Sequence, residues 1–130
     1  MDNLEIKGEN GEYFIPTVDF NAATGNFLIS GASYLEDTTK FYEPILNWLK
    51  EYTKETSKPL NLEIRLNYFN TSSSRSLLDM FYILKEFQNK GGKVNIDWYI
   101  KQFDHDMYEE IEDYILDTGL KINAIRTEKL

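Results

Sequence analysis

Four hydroxyl side chains follow one another in Asn70-Thr71-Ser72-Ser73-Ser74, and Arg75 comes next. A hydroxyl can donate and accept hydrogen bonds, and it can also accept a phosphoryl group. The run therefore has two readings. As a helix cap, Asn70 or Thr71 takes hydrogen bonds from the first free backbone N–H groups of a following helix. Capping explains one or two of these residues and explains four in a row less well. As a modification site, a phosphate on Thr71 adds about −1.5 to −2 charges at a helix N-terminus, where N–H groups and the dipole favour an anion. The fold then survives while its surface changes. Arg75, one turn on, either pairs with that phosphate or anchors a partner.

A second cluster, Asp104-His105-Asp106 with Glu109, Glu110, Glu112 and Asp113, surrounds the single histidine with acids. It invites a small metal-dependent enzyme built around His105. No ligand spacing is defined, however, and a helix start capped by Asp104 or Asp106 accounts for the acids through the dipole. Trp98-Tyr99 at a strand end reads as core or half-buried ladder before interface anchor. Gly31-Ala32-Ser33 and Gly91-Gly92 lack the glycine spacing and the Lys-Ser/Thr pair of a phosphate-binding loop.

The elements that must hold these residues follow from periodicity. Glu12 to Asn21 reads as a strand interrupted by Pro16, which suits an edge. Ala23-Thr24-Gly25-Asn26 turns it into a second strand over 27–31. From Asp37 to Tyr52 the spacing of Phe41, Ile45, Trp48, Leu49 and Tyr52 predicts a helix whose core face carries them. Pro44 places the regular part of that helix just before itself. Asn61 to Asn70 alternates as a strand with Leu62, Ile64, Leu66 and Tyr68 on one side. A helix follows over 72–89 with Leu77, Leu78, Phe81, Leu84 and Phe87 inward, stopped by Gly91-Gly92. A strand over 93–100, a helix over 106–116 and a strand over 121–127 complete the chain. The fold class is α/β: a mixed sheet of about five to six strands, an N-terminal hairpin then αβαβαβ, with three main helices on one or both faces.

Composition narrows the function. With 130 residues, the chain is expected to form one domain with its own core. No cysteine is present, which removes a thiolate metal site and a cysteine nucleophile. The N-terminus shows no secretory pattern and no apolar run is long enough to span a bilayer, so a cytoplasmic protein with no membrane partner is expected. The net charge of −8, with dispersed Lys and Arg, disfavours nucleic acid. Protein partners are the expectation, with no cofactor and no catalytic residues.

Several segments, in order, resemble the SiaC family of bacterial regulatory phosphoproteins. They are Ile29-Ser30-Gly31-Ala32-Ser33-Tyr34, Phe41-Tyr42-Glu43-Pro44, Asn70-Thr71-Ser72-Ser73, and Gly91-Gly92-Lys93-Val94 leading to Trp98-Tyr99. The resemblance implies a STAS-like fold similar to anti-sigma-factor antagonists. It implies partner switching by a serine/threonine kinase and a PP2C-type phosphatase, the dephosphorylated form binding and activating an effector such as a diguanylate cyclase. The family's phosphorylated threonine corresponds to Thr71, with Asn70, Ser72 and Ser73 as its neighbours and the two serines as minor alternatives. The outward arc of the same helix, Arg75, Asp79, Tyr82, Ile83 and Glu86, becomes the expected partner-binding surface. A constitutive interaction domain, in which the turn is only a cap, is the alternative.

Overall fold

The computed structural model describes residues 1–11 and 13–130; Glu12, where the first predicted strand begins, lies outside the described residues. In chain order the elements are β1 (Leu4–Ile6), β2 (Glu9–Asn10), β3 (Phe14–Ile15), β4 (Thr17–Asn21), β5 (Asn26–Ser33), α1 (Thr38–Glu55), β6 (Leu60–Phe69), α2 (Thr71–Asn89), β7 (Val94–Lys101), α3 (His105–Thr118) and β8 (Asn123–Thr127). Six strands form a mixed sheet in the order β1-β4-β5-β6-β7-β8, and β2 pairs with β3 apart from it. The pairs β1/β4 and β4/β5 are antiparallel, and the remaining pairs are parallel. This is the hairpin followed by αβαβαβ that the periodicity predicts.

From β5 onward every crossover steps to the next strand in the same direction. Right-handed connections then place all three helices on one face. The burial pattern agrees: Ile29, Ile64, Trp98 and Ile100 point into the core, while Leu28, Glu63, Asp97 and Tyr99 on the other side stay half-exposed. The hairpin closes on Asn21, whose Oδ1 accepts from the N–H groups of Ala23 (3.0 Å) and Thr24 (3.1 Å). Gly25 completes it at φ +76°, hard against the Pro59 carbonyl, where a side chain has no room.

Four expectations are corrected. The edge belongs to β1, a strand too short for periodicity to reveal, and Pro16 stands between β3 and β4, where no ladder donor is needed. Helix α1 begins at Thr38, well before Pro44, because Asp37 caps it by accepting from Lys40 N–H at 3.0 Å. Pro44 costs one backbone bond on the exposed side. The buried stripe of α1 is Tyr42, Ile45, Leu49 and Tyr52, which leaves Phe41 and Trp48 half-buried at its margin. Trp48 stays there because its Nε1–H donates to the Asp2 carbonyl at 3.0 Å.

The fourth correction concerns Tyr68. The β5/β6 register shifts between Gly31 and Ala32, so that Leu66 faces Gly31 but Tyr68 faces Ala32. One extra residue in β6 flips the side-chain phase beyond it. Tyr68 turns outward toward Tyr34 (ring centroids 6.1 Å), and Phe69 turns inward toward Trp98 (6.0 Å). Trp98 is fully buried among Phe69, Phe81 and Tyr114. Removing a ring from this cluster, as in Phe81→Ala, is expected to cost about 3–5 kcal/mol. Among the described residues no helix is long and apolar enough to cross a membrane.

Candidate functional site

The strand β6 ends at Phe69, and α2 begins two residues later, so Asn70 alone makes the turn. Its N–H donates to the Ser33 carbonyl (3.1 Å), which fixes the turn to the end of β5. Its Oδ1 accepts from Ser73 N–H (3.0 Å), and its Nδ2 donates to the Leu35 carbonyl (3.4 Å). Asn70 is therefore the helix cap, and capping gives the Thr71 hydroxyl no task. The caps of the other two helices are the carboxylates Asp37 and Asp104. Of the three, only α2 starts on a neutral cap; like α1, it has no acid in its first turn.

The four hydroxyls have separate fates. Ser73 is buried, and its Oγ donates to the Ser33 carbonyl (3.1 Å) while accepting from Ser33 Oγ (2.8 Å). Ser33 Oγ also lies 2.7 Å from the Tyr42 hydroxyl. The donor order consistent with all three is Tyr42 to Ser33, Ser33 to Ser73, and Ser73 back to the Ser33 carbonyl. Burial pushes the Tyr42 phenol up to about 12, against smaller lowering effects of its bonds to Ser33 and Ser73. Ser74 Oγ sits 2.8 Å from the Tyr114 hydroxyl, which donates to the Ser74 carbonyl at 3.1 Å. Burial likewise raises the Tyr114 phenol.

Ser72 Oγ lies 2.7 Å from Thr38 Oγ1 across the seam with α1 and donates to Asn70 Oδ1 at 3.3 Å. Thr71 differs from all three. It is exposed at the first position of α2, and no hydrogen bond reaches its hydroxyl among the described residues. Tertiary contacts thus single out one of four chemically similar groups.

Thr71 opens onto a groove of about 870 Å³ between α1 and α2. Tyr42 and Leu46 give it apolar surface, and its charged residues are Glu43 and Lys50 of α1 with Arg75 and Asp79 of α2. Two cations meet two acids, so the groove is neutral on a chain of net charge −8. Arg75 Nε lies 3.5 Å from Asp79 Oδ1. A smaller hollow of about 170 Å³ continues along the same seam and shares Lys50; Ile83 and Glu86 line it. Of the surface expected from sequence, Arg75 and Asp79 therefore line the groove, Ile83 and Glu86 the hollow, and Tyr82 is exposed but lines neither. The α1 wall, with Thr38, Tyr42, Leu46 and Lys50, escaped the sequence reading. Helical spacing identifies the outer face of α2 but not the helix beside it.

The second cluster folds as a capped helix start. Asp104 Oδ1 accepts from Met107 N–H at 2.9 Å, and His105 is the exposed first residue of α3. Glu109, Glu110, Glu112 and Asp113 are exposed. Among the described residues no three His, Asp or Glu side chains are placed to share a metal ion. Trp98 lies in the core, and Tyr99 is half-buried on the open face beneath Arg65, whose guanidinium carbon is 3.9 Å from the ring centroid.

Comparison with known proteins extends over nearly the whole chain. The model of the SiaC family regulatory phosphoproteins matches residues 6–127. An uncharacterised protein of Pseudomonas aeruginosa strain UCBPP-PA14 is 25% identical over 114 residues, 88% of each chain. The crystal structure of apo-SiaC from Pseudomonas aeruginosa is similar with a TM-score of 0.85 and 24% identity, covering 96% of this chain and 99% of that one. A chain in the structure of the Pseudomonas aeruginosa diguanylate cyclase SiaD in complex with its activator SiaC gives 0.84 at 22% identity, over 94% of this chain and 100% of that chain. At these identities the structural likeness speaks for the fold.

Proposed function

Because this chain belongs to the SiaC family of regulatory phosphoproteins, we propose that it is a non-catalytic partner switch controlled by phosphorylation of Thr71. Residues 1–130 act as one regulatory unit in the cytoplasm. The dephosphorylated form binds and activates an effector such as a diguanylate cyclase, the class of protein found with SiaC in the Pseudomonas complex. A serine/threonine kinase blocks this binding by modifying Thr71, and a PP2C-type phosphatase restores it. Arg75, Asp79, Tyr82, Ile83 and Glu86 contribute to the docking surface.

One observation carries the reading: Thr71 is the exposed, unengaged hydroxyl at the mouth of a charge-balanced groove. A partner approaching that groove meets no net local charge, despite the acidity of the whole chain. Phosphate adds about −1.5 to −2 there and removes that neutrality. The first N–H groups of α2 and its neutral cap accommodate the anion, so the fold persists while docking fails. Ser72 and Ser73 are poorer acceptors, because modifying either breaks bonds to Thr38 or Ser33.

Intact-mass and fragment-ion spectrometry of protein from its native cell should find phosphate on Thr71. Phosphothreonine at this position should weaken effector binding by about 30-fold or more, the scale of a like charge placed in an interface. Thr71→Ala should bind constitutively. If Thr71→Ala remains fully regulated, the reading is wrong.

A further inference from the structure

Thr71, Arg75 and Asp79 are spaced by four residues each, and all three line the α1–α2 groove. Side chains four apart on a helix are neighbours. Arg75 therefore lies within reach of two positions, one on each side. In the unmodified protein it is paired with Asp79 at 3.5 Å, in a contact whose side chains are 78% and 44% exposed. An exposed pair of this kind is weakly held. Its orientation is also the less favourable one, since an acid stabilises a helix better when it lies N-terminal to its base. A phosphate on Thr71 would occupy the favourable side and present three acceptor oxygens to the guanidinium fork.

Resting on the Thr71 reading, we propose that Arg75 is a positioning residue which leaves Asp79 for the phosphate and thereby unmasks the Asp79 carboxylate inside the groove. Before modification the Arg75–Asp79 pair is neutral. Afterwards the phosphate–Arg75 pair carries about −1 and the free Asp79 another −1, separated by eight residues, or about 12 Å along the helix. One modification at the mouth thus changes the field two turns into the groove. On the facing wall Glu43 adds to that field and Lys50 opposes it. The α3 start lacks this device, because Glu109 holds the place after Asp104 that Arg75 holds after Asn70.

The test needs no partner. Phosphothreonine is installed at position 71 by genetic code expansion in wild-type, Arg75→Gln, Arg75→Lys and Asp79→Asn chains. Phosphorus NMR then follows the second ionisation of the phosphate, and nitrogen-resolved NMR follows Arg75 Nε–H. Arg75→Gln should raise the second phosphate pKa by roughly half a unit to one unit, the low end for a neighbouring cation because the site is exposed. Arg75→Lys should recover part of that change. Asp79→Asn should move the Arg75 Nε–H signal in the unmodified protein and leave it unmoved in the phosphorylated one. Equal phosphate pKa values in wild type and Arg75→Gln overturn the proposal, as does an Arg75 signal that still responds to Asp79→Asn after phosphorylation. Because the phosphate is installed directly, a negative result here is separate from the absence of native Thr71 phosphorylation, which mass spectrometry reads.

Discussion

Two strand–turn–helix junctions at the same edge of the sheet share a plan and differ in chemistry. β6 passes to α2 through Asn70, and β7 passes to α3 through Gln102, Phe103 and Asp104. Both helices are capped by a side chain that accepts from the N–H three residues on. At α3 the cap is a carboxylate and Asp106 follows in the first turn, so the positive end of the dipole is already compensated. At α2 the cap is a neutral amide, and the first turn carries hydroxyls instead of acids. That N-terminus keeps its capacity for an anion. The junction that looks richer in ionisable groups is thus the one with less room for a phosphate.

The junctions also differ in anchorage, and the largest expected effect follows from that. Ser33→Ala removes the hydroxyl that links Tyr42 to Ser73 and leaves the buried Tyr42 hydroxyl without that partner, while Ser73 keeps its bond to the backbone carbonyl. Urea unfolding should show a loss of about 1–3 kcal/mol. His105→Ala, on the exposed start of α3, should change stability by less than about 0.5 kcal/mol. Equal losses for the two variants would erase the contrast.

High pH should probe the same anchorage. The Tyr42 phenol ionises near 10 when unfolded and is pushed up to about 12 when folded. The folded state therefore holds its proton more tightly. The associated stability is fully present below pH 10 and disappears as pH rises from 10 through 12. Its size is on the order of 2–3 kcal/mol. Burial of Tyr114 acts in the same direction. Denaturation measured from pH 8 to 12 should show this loss, and Tyr42→Phe should shrink it; an unchanged slope in that variant would assign the effect elsewhere.

A smaller effect is expected from exchanging the caps. Asn70→Asp gives α2 the charged start of α3. Unmodified protein should change by less than about 1 kcal/mol, since the gain at the dipole is offset by loss of the Nδ2–H bond to Leu35. Protein carrying phosphate on Thr71 should melt at a lower temperature in Asn70→Asp than in the parent, because two anions then crowd one helix end. Asp104→Asn should alter stability by only a few tenths of a kcal/mol. A phosphorylated Asn70→Asp chain as stable as its parent would show that cap charge is irrelevant to the site.

Much of this contrast is legible in the residues. The Asn70 turn, the three helices and the stop at Gly91-Gly92 follow from pattern and capping chemistry, because both are local. The less legible parts depend on partners distant in sequence. Tyr68 alternates correctly with Leu66, yet an extra residue opposite β5 turns it outward. Trp48 has core spacing, yet the Asp2 carbonyl holds it at the margin. The short edge strand β1 acquires its identity only by pairing with β4. Seen alone, α2 has an exposed arc; docked beside α1, it has a groove.

The sequence by itself determined the α/β order, the helix start at the hydroxyl run and the family resemblance, since periodicity, caps and motifs are carried by near neighbours. Within the hydroxyl run the resemblance pointed to Thr71, with Ser72 and Ser73 as minor alternatives, while local pattern gave no physical reason to prefer one hydroxyl over the others. Tertiary structure separated them: Ser33, Thr38 and Tyr114, each more than thirty residues away along the chain, engage the three serines. Hydrogen-bond partners are chosen by proximity in space, and only the folded sheet and helices set that proximity. What remains at the mouth of the groove is the Thr71 hydroxyl.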